Sequence, residues 1–175
     1  MTRYKYIIIV IFSFFVILIG FKRGFYDTYC VSVFVEEMNK KSEQIGMKTA
    51  TFVNPTGLEW GNLGKADDVL VLLDIAMANK AISTVWGLDS ALIRVKSKTG
   101  IFRDVILKNT FLSENISPYT VVGRKTGSNG SLFNIAIVLV DSNNDTTKCV
   151  ILGAHSELER LQYLSNLLKN NVDNN

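Results

Sequence analysis

Histidine and cysteine are almost missing from this chain, and their scarcity narrows the chemistry first. Among 175 residues there is one histidine, His155, and two cysteines, Cys30 and Cys149, far apart in sequence. No Cys-x-x-Cys spacing exists, so a zinc site of the usual cysteine and histidine type is excluded, and no metal or cofactor is expected. Cys149 sits in an apolar run and reads as core. Cys30 reads as inert, with a reactive thiol or a lipid site as the alternative. A basic surface is also missing. The formal net charge is +3, but residues 1–23 hold four basic side chains and no acidic one. Residues 24–175 carry 15 Lys and Arg against 16 Asp and Glu. Nucleic-acid binding would need a basic face in that part, so no nucleic-acid partner is expected. Internal repeats and long low-complexity tracts are absent.

What is present begins with an apolar stretch. Tyr6 to Phe21 is apolar except for Tyr6, Ser13 and Gly20, with Arg3 and Lys5 before it and Lys22 and Arg23 after it. As a helix it would span roughly 24 Å, short of a ~30 Å hydrocarbon core. Basic side chains that snorkel at both ends make up the difference. The reading is a membrane anchor over residues 1–23. A cleaved secretory signal is the alternative; its small-residue cleavage pattern is not found in Lys22, Arg23, Gly24, Phe25 and Tyr26. Two basic side chains flank each end, so the positive-inside rule gives no orientation.

The remainder alternates between the two periodicities. Val31 to Ile45 reads as a helix, with Phe34, Met38 and Ile45 near one face and Gly46 as a left-handed terminator. Met47 to Val53 reads as extended, and Asn54-Pro55-Thr56-Gly57 as a turn. Lys65 to Asn79 carries Val69, Leu72, Leu73, Ala76 and Met77 at helical spacing, with Asp67 and Asp68 at its positive end. Ala91 to Lys96 and Ile101 to Leu107 read as a hairpin around Ser97-Lys98-Thr99-Gly100. Tyr119 to Lys125, Leu132 to Val140 and Thr147 to Leu152 read as strands, the middle one apolar enough to be covered on both faces. Ser156 to Leu168 reads as a closing helix with Ser156 and Glu159 in capping-box spacing. Leu158, Leu161, Leu164, Leu167 and Leu168 are expected on its inner face. The order predicts an α+β fold, an antiparallel sheet flanked by helices.

Two separated blocks carry a family resemblance. The first is Phe34-Val35-Glu36-Glu37-Met38-Asn39, then Gly46-Met47-Lys48, then Phe52-Val53-Asn54-Pro55-Thr56-Gly57-Leu58. The second is Gly123-Arg124-Lys125-Thr126-Gly127, followed by the apolar strand from Leu132 and by Val150-Ile151-Leu152-Gly153-Ala154. Arg160 and Leu167-Leu168 in the closing helix fit as well. Together these resemble the C-terminal half of the low-molecular-mass penicillin-binding proteins, the serine-type D-alanyl-D-alanine carboxypeptidases, over residues 31–169. The resemblance implies a partial serine β-lactamase and DD-peptidase-like fold over residues 24–175. It also implies a role in peptidoglycan maturation, a stem-peptide ligand and an extracytoplasmic domain on the cell membrane. In that family a serine of a Ser-x-x-Lys motif forms an acyl-enzyme, and a Ser-x-Asn motif assists proton movement. The Lys-Thr-Gly strand forms the facing wall. Carried over, Lys125 and Thr126 would meet the substrate carboxylate, Gly127 would admit its backbone, and Ser128 would offer an oxyanion N–H.

The nucleophile is what this chain lacks. None of its serines is followed by lysine three positions later. A Ser-x-Asn match, Ser142-Asn143-Asn144, falls in a polar turn after Lys-Thr-Gly and reads as coincidence. A second Lys-Thr-Gly, Lys98-Thr99-Gly100, falls in the hairpin turn. His155 precedes a helix cap and reads as solvated or stapling rather than as a base. Trp60 and Trp86 read as packing rather than glycan stacking. No catalytic residue is therefore expected within these 175 residues. The alternatives are a non-catalytic binding module, one half of an enzyme completed by a partner chain, and the remnant of a decayed gene.

Overall fold

The computed structural model of the protein describes residues 28–111 and 113–172. The apolar stretch 6–21, read as an anchor, and the side chain of Cys30 lie outside the described residues.

Helix α1 spans Thr28–Gln44 and starts three residues before the expected Val31. It ends at Gly46, whose φ of +87° is left-handed backbone that glycine adopts without penalty. Met38 of α1 and Met47 beyond its end are both buried in the core. Asn39 explains why the first block has its form. Its carboxamide accepts from Phe52 N at 2.8 Å and donates to Phe52 O at 2.8 Å. One side chain thus plays the part of a neighbouring strand, satisfying both main-chain groups of Phe52 where no strand runs. Asn62, fully buried, does the same for the turn by accepting from Val53 N and Asn54 N. The expected extension at Met47 to Val53 is accordingly reduced to a single bridge, Thr51 to Leu63.

Helix α2, Ala66–Ala78, buries Val69, Leu72, Leu73 and Ala76. Its third residue, Asp68, is buried; its Oδ2 accepts from Lys65 N at 3.1 Å and from the Thr49 hydroxyl, and its Oδ1 from Thr49 N at 3.2 Å. A further helix, α3, follows over Lys80–Trp86. The helical pattern was expected to stop at Asn79, and it does, because Asn79 is a cap for what comes next. Its side-chain oxygen accepts from Ala81 N and Ile82 N, and the axis turns by 105°. Among the described residues no single helix is long and apolar enough to cross a membrane.

Strands β1 (Ser90–Lys96) and β2 (Phe102–Lys108) pair antiparallel as expected, but only with each other. The main sheet holds β3 (Thr120–Ser128), β4 (Phe133–Val140) and β5 (Thr146–Ala154) in the order β3-β4-β5. The single antiparallel sheet expected from the sequence is thus two sheets. Alternation marks a strand, but it says nothing about which sheet the strand joins. Between them runs a 3-10 turn, Ser113–Ile116.

β4 is buried on both sides, from Asn134 to Leu139. Ala136 and Val138 face α1, α2 and α3 together with Val150 and Leu152. Ile135, Ile137 and Leu139 face helix α4 (Glu157–Val172) and the 3-10 turn together with Cys149 and Ile151. The architecture is helices, sheet, helix, an α+β arrangement. On α4 the inner face is Leu164 and Leu168, with Leu161 half-buried, whereas Leu158 and Leu167 are exposed, against expectation. At 3.6 residues per turn Leu158 lies roughly 120° around the helix from Leu164, off the inner face. Cys149 is buried, and burial pushes its thiol up from the ordinary range, so it is an inert core residue.

Candidate functional site

The residues Gly123 to Ser128 lie on β3, one edge of the main sheet. That position suits an extended ligand, because among the described residues no strand lies beside the outer side of β3. Lys125 is opposite Ala136, so its side chain starts on the face of α1 to α3. Thr126 is opposite Ile135, on the face of α4. The two candidate binding side chains therefore leave the strand in opposite directions. Lys125 is half-buried and curls back over the edge, where its Nζ donates to Thr126 O. Burial holds its ammonium below the usual lysine range. None of the carboxylates among the described residues pairs with it. The Thr126 hydroxyl meets the Thr110 hydroxyl at 2.5 Å. Gly127 is buried opposite Asn134, and Ser128 is exposed at the strand end.

Gly123 is glycine for a packing reason. A Cβ there would lie 2.4 Å from Met77 Sδ and 2.7 Å from its Cε. The end of the Met77 side chain, from helix α2, fills the space that such a Cβ would take. The ladder also slips at this point, between Val121 and Gly123. The residue between Gly123 and Lys125 is the least expected. Arg124 is among the largest fully buried side chains. It donates from Nε to Phe111 O, and from one terminal nitrogen to Leu88 O and to Asp89 Oδ1. Asp89 also accepts from Ser113 N and from Ser113 Oγ at 2.8 Å. The Ser113 hydroxyl bond comes first in holding the Asp89 carboxyl below its usual range; Ser113 N and Arg124 assist against burial. This clasp ties both roots of the β1–β2 hairpin to the candidate binding strand.

Two more residues stand at the same end of the sheet. Arg160 of α4 is buried; it donates to Asn134 O at 3.3 Å and lies 5.9 Å from the centre of the Phe111 ring. Its Nε has no partner among the described residues. Asn134 Oδ1 accepts from Gly153 N at 2.7 Å. The other sequence candidates are scattered. Lys98-Thr99-Gly100 is an exposed turn far along the hairpin, with Gly100 N donating to Ser97 O at 3.0 Å. Ser142-Asn143-Asn144 is a turn closed by Asp141. A second Ser-x-Asn, Ser113-Glu114-Asn115, opens the 3-10 turn, where its serine is occupied by Asp89. His155 is exposed, and its main-chain N–H donates to Glu159. Trp86 is core and Trp60 is exposed. No group of three or more potential metal ligands exists among the described residues.

The fold is that of the DD-peptidases. The Streptomyces K15 DD-transpeptidase superposes with a TM-score of 0.73 at 22% identity, over 85% of this chain and 57% of that one. The D-alanyl-D-alanine carboxypeptidase of Mycobacterium tuberculosis H37Rv superposes with a TM-score of 0.59 at 21% identity, over 72% of this chain and 47% of that one. The profile of the D-alanyl-D-alanine carboxypeptidase family, peptidase S11, matches residues 30–156, and the chain belongs to that family. The carboxypeptidase DacF of Bacillus subtilis (strain 168) is 28% identical over 144 residues, 77% of this chain. The match spans 34% of that relative's length and 57% of the K15 enzyme's.

Proposed function

We propose that this chain supplies the substrate-binding wall of a serine-type D-alanyl-D-alanine carboxypeptidase acting in peptidoglycan maturation, without supplying its nucleophile. One observation carries the reading. Gly123 to Ser128 lies on an edge strand that holds a half-buried lysine with no carboxylate beside it among the described residues. A buried cation without a counter-ion costs stability, and a carboxylate ligand removes that cost. In this reading Lys125 and Thr126 receive the terminal carboxylate of a stem peptide, Gly127 admits its backbone, and the Ser128 N–H faces the oxyanion. The wall stands outside the cell membrane, held by residues 6–21. No serine in the 175 residues has the lysine that would activate it, and loss of the nucleophile costs a covalent hydrolase about a million-fold.

A second reading, completion by a partner chain, has its own observation. Among the described residues no strand lies beside the outer edge of β5 either, and a groove of about 620 Å³ runs along it. Three consecutive β5 residues, Val150, Ile151 and Leu152, line this groove. Neighbours on a strand point to opposite faces, so the groove opens on the strand's edge rather than on a face. Lys65 and Ala66 at the start of α2 and Tyr163 and Leu167 of α4 form its walls. An added strand would find unpaired main-chain groups in a slot already walled by helices.

Fluorescent penicillin tests both. The purified chain is expected to give no covalent band. A band on this chain that disappears on mutating one of its serines would overturn the first reading. A band on a second polypeptide that co-purifies with this chain, and only in its company, would establish the second.

A further inference from the structure

The β1–β2 hairpin is the one part of the described structure whose composition disagrees with its surroundings. Neither strand packs substantially against any other element. Yet the hairpin carries four of the most exposed large apolar side chains in the molecule: Leu92 at 69%, Ile106 at 63%, Ile101 at 69% and Phe102 at 61%. Leu92 is opposite Ile106, and Phe102 is opposite Lys96, on one face of the ribbon with the Arg94–Asp104 pair between them; Ile101, opposite Ser97, stands on the other face at the turn. Two-stranded ribbons are marginal in water, and large apolar side chains left open on one are a liability unless something covers them.

Charge identifies what covers it. Residues 90–108 hold Arg94, Lys96, Lys98, Arg103 and Lys108 against Asp104 alone, a net +4. Over residues 24–175 the balance is −1, so the rest of that span is at −5. The single acid is already taken, because Asp104 accepts from Arg94 Nε at 2.7 Å and from its terminal nitrogen at 3.0 Å. Lys98, Arg103 and Lys108 have no acidic partner among the described residues. The positive charge of the domain is thus gathered on its one projecting apolar finger. A second copy would bring +4 against +4, which opposes an isologous contact. An anionic bilayer matches both halves of the pattern, with headgroups for the cations and acyl chains for Ile101 and Phe102.

We infer that the turn end of the β1–β2 hairpin, with Phe102 on one face and Ile101 on the other, docks on an anionic lipid surface. The inference is compatible with the anchor proposed at residues 6–21, which would leave only residues 22–27 between bilayer and α1, but it does not depend on it. The rigid turn supports insertion: Ser97 N donates to Ile101 O at 2.8 Å, and Ile101 N donates to Ser97 Oγ at 3.1 Å.

The test places a benzophenone amino acid at position 102 of the full chain, in nanodiscs of phosphatidylcholine alone or mixed with phosphatidylglycerol. Intact mass after illumination is expected to show lipid adducts in the mixed discs. The yield should fall several-fold in phosphatidylcholine discs, and likewise in the mixed discs when Lys98→Glu and Arg103→Glu are combined. Chain-to-chain adducts, or no adduct in either disc, would overturn the docking. Retention of the chain by the disc reports separately on residues 6–21. A retained chain without lipid adducts sinks the hairpin proposal alone. A chain that is not retained, but forms lipid adducts with added anionic vesicles, sinks only the anchor.

Discussion

Lys125 and Asp68 are both buried ionisable residues, and their opposite situations lead to opposite expectations. Lys125 has no carboxylate partner among the described residues, so the fold bears the cost of its burial. Lys125→Met is expected to stabilise the protein by about 0.5–2 kcal/mol, read from urea unfolding, while weakening retention of a D-Ala-D-Ala peptide. A loss of stability instead would mark the lysine as structural. Asp68 is buried with every partner in place. Burial is the largest single influence and pushes its carboxyl up, but the Thr49 hydroxyl and the amides of Lys65, Thr49 and Lys48 together pull it below the aspartate range. A lowered carboxyl contributes stability above the unfolded-state value, about 3.9, and loses it as pH falls through the folded value. Urea midpoints are therefore expected to drop between pH 7 and about pH 3, and Asp68→Asn should flatten that drop. At this scale Asp68 was legible from its place at a helix start, and Lys125, Thr126 and Gly127 were marked as candidates by their motif. Arg124 was not legible, because nothing local distinguishes a buried arginine from an exposed one. Its partners come from Leu88, Asp89 and Phe111, which only the tertiary fold brings near. Asn39 was visible as part of a motif, but its role as a substitute strand was not.

Among the elements, helices and strands were read from period and punctuation, and the errors share a cause. Asn79 ended a helix correctly and hid the one it starts, since a seven-residue helix offers too few turns for a period to show. The stretch from Met47 to Val53 alternates like a strand but among the described residues pairs only through the Thr51–Leu63 bridge, with the side chains of Asn39 and Asn62 satisfying Phe52 and Val53. The hairpin was found, but its separation from the main sheet was not, because pairing is a long-range choice. The contact between α2 and β3 is where an element-scale change should be felt. Gly123→Ala places a methyl against the end of the Met77 side chain. Overpacking of this kind costs about 1–3 kcal/mol, and the low end is expected here because methionine can swing aside. The penalty should shrink in a Met77→Ala background. A double-mutant cycle on unfolding free energies checks this, and an unchanged penalty would place the strain in the backbone instead.

Taken whole, the described residues form two apolar clusters divided by one sheet. β4 gives alternate residues to each, Ala136 and Val138 to one and Ile135, Ile137 and Leu139 to the other. Neither cluster can come apart without uncovering the strand that supports its counterpart, so a single unfolding transition is expected. Native-state hydrogen exchange should give the amides of residues 135–138 one common opening free energy; two distinct values for odd and even positions would show the layers melting apart. The α+β class was legible because runs of helix and runs of strand are grouped along the chain. The openness of both sheet edges was not, since an unpaired edge leaves no mark in its own sequence. The Arg124 clasp has a last consequence at this scale. A ribbon of seven residues per strand is roughly 23 Å long. Its foot is fastened beside Thr126 and its toe is apolar and basic. If the hairpin docks as inferred, such a ribbon is a stand-off leg, and the height of the proposed binding strand above the lipid surface would be set by a residue count. Adding or removing two residues from each strand would raise or lower that height by about 7 Å without touching a single ligand contact.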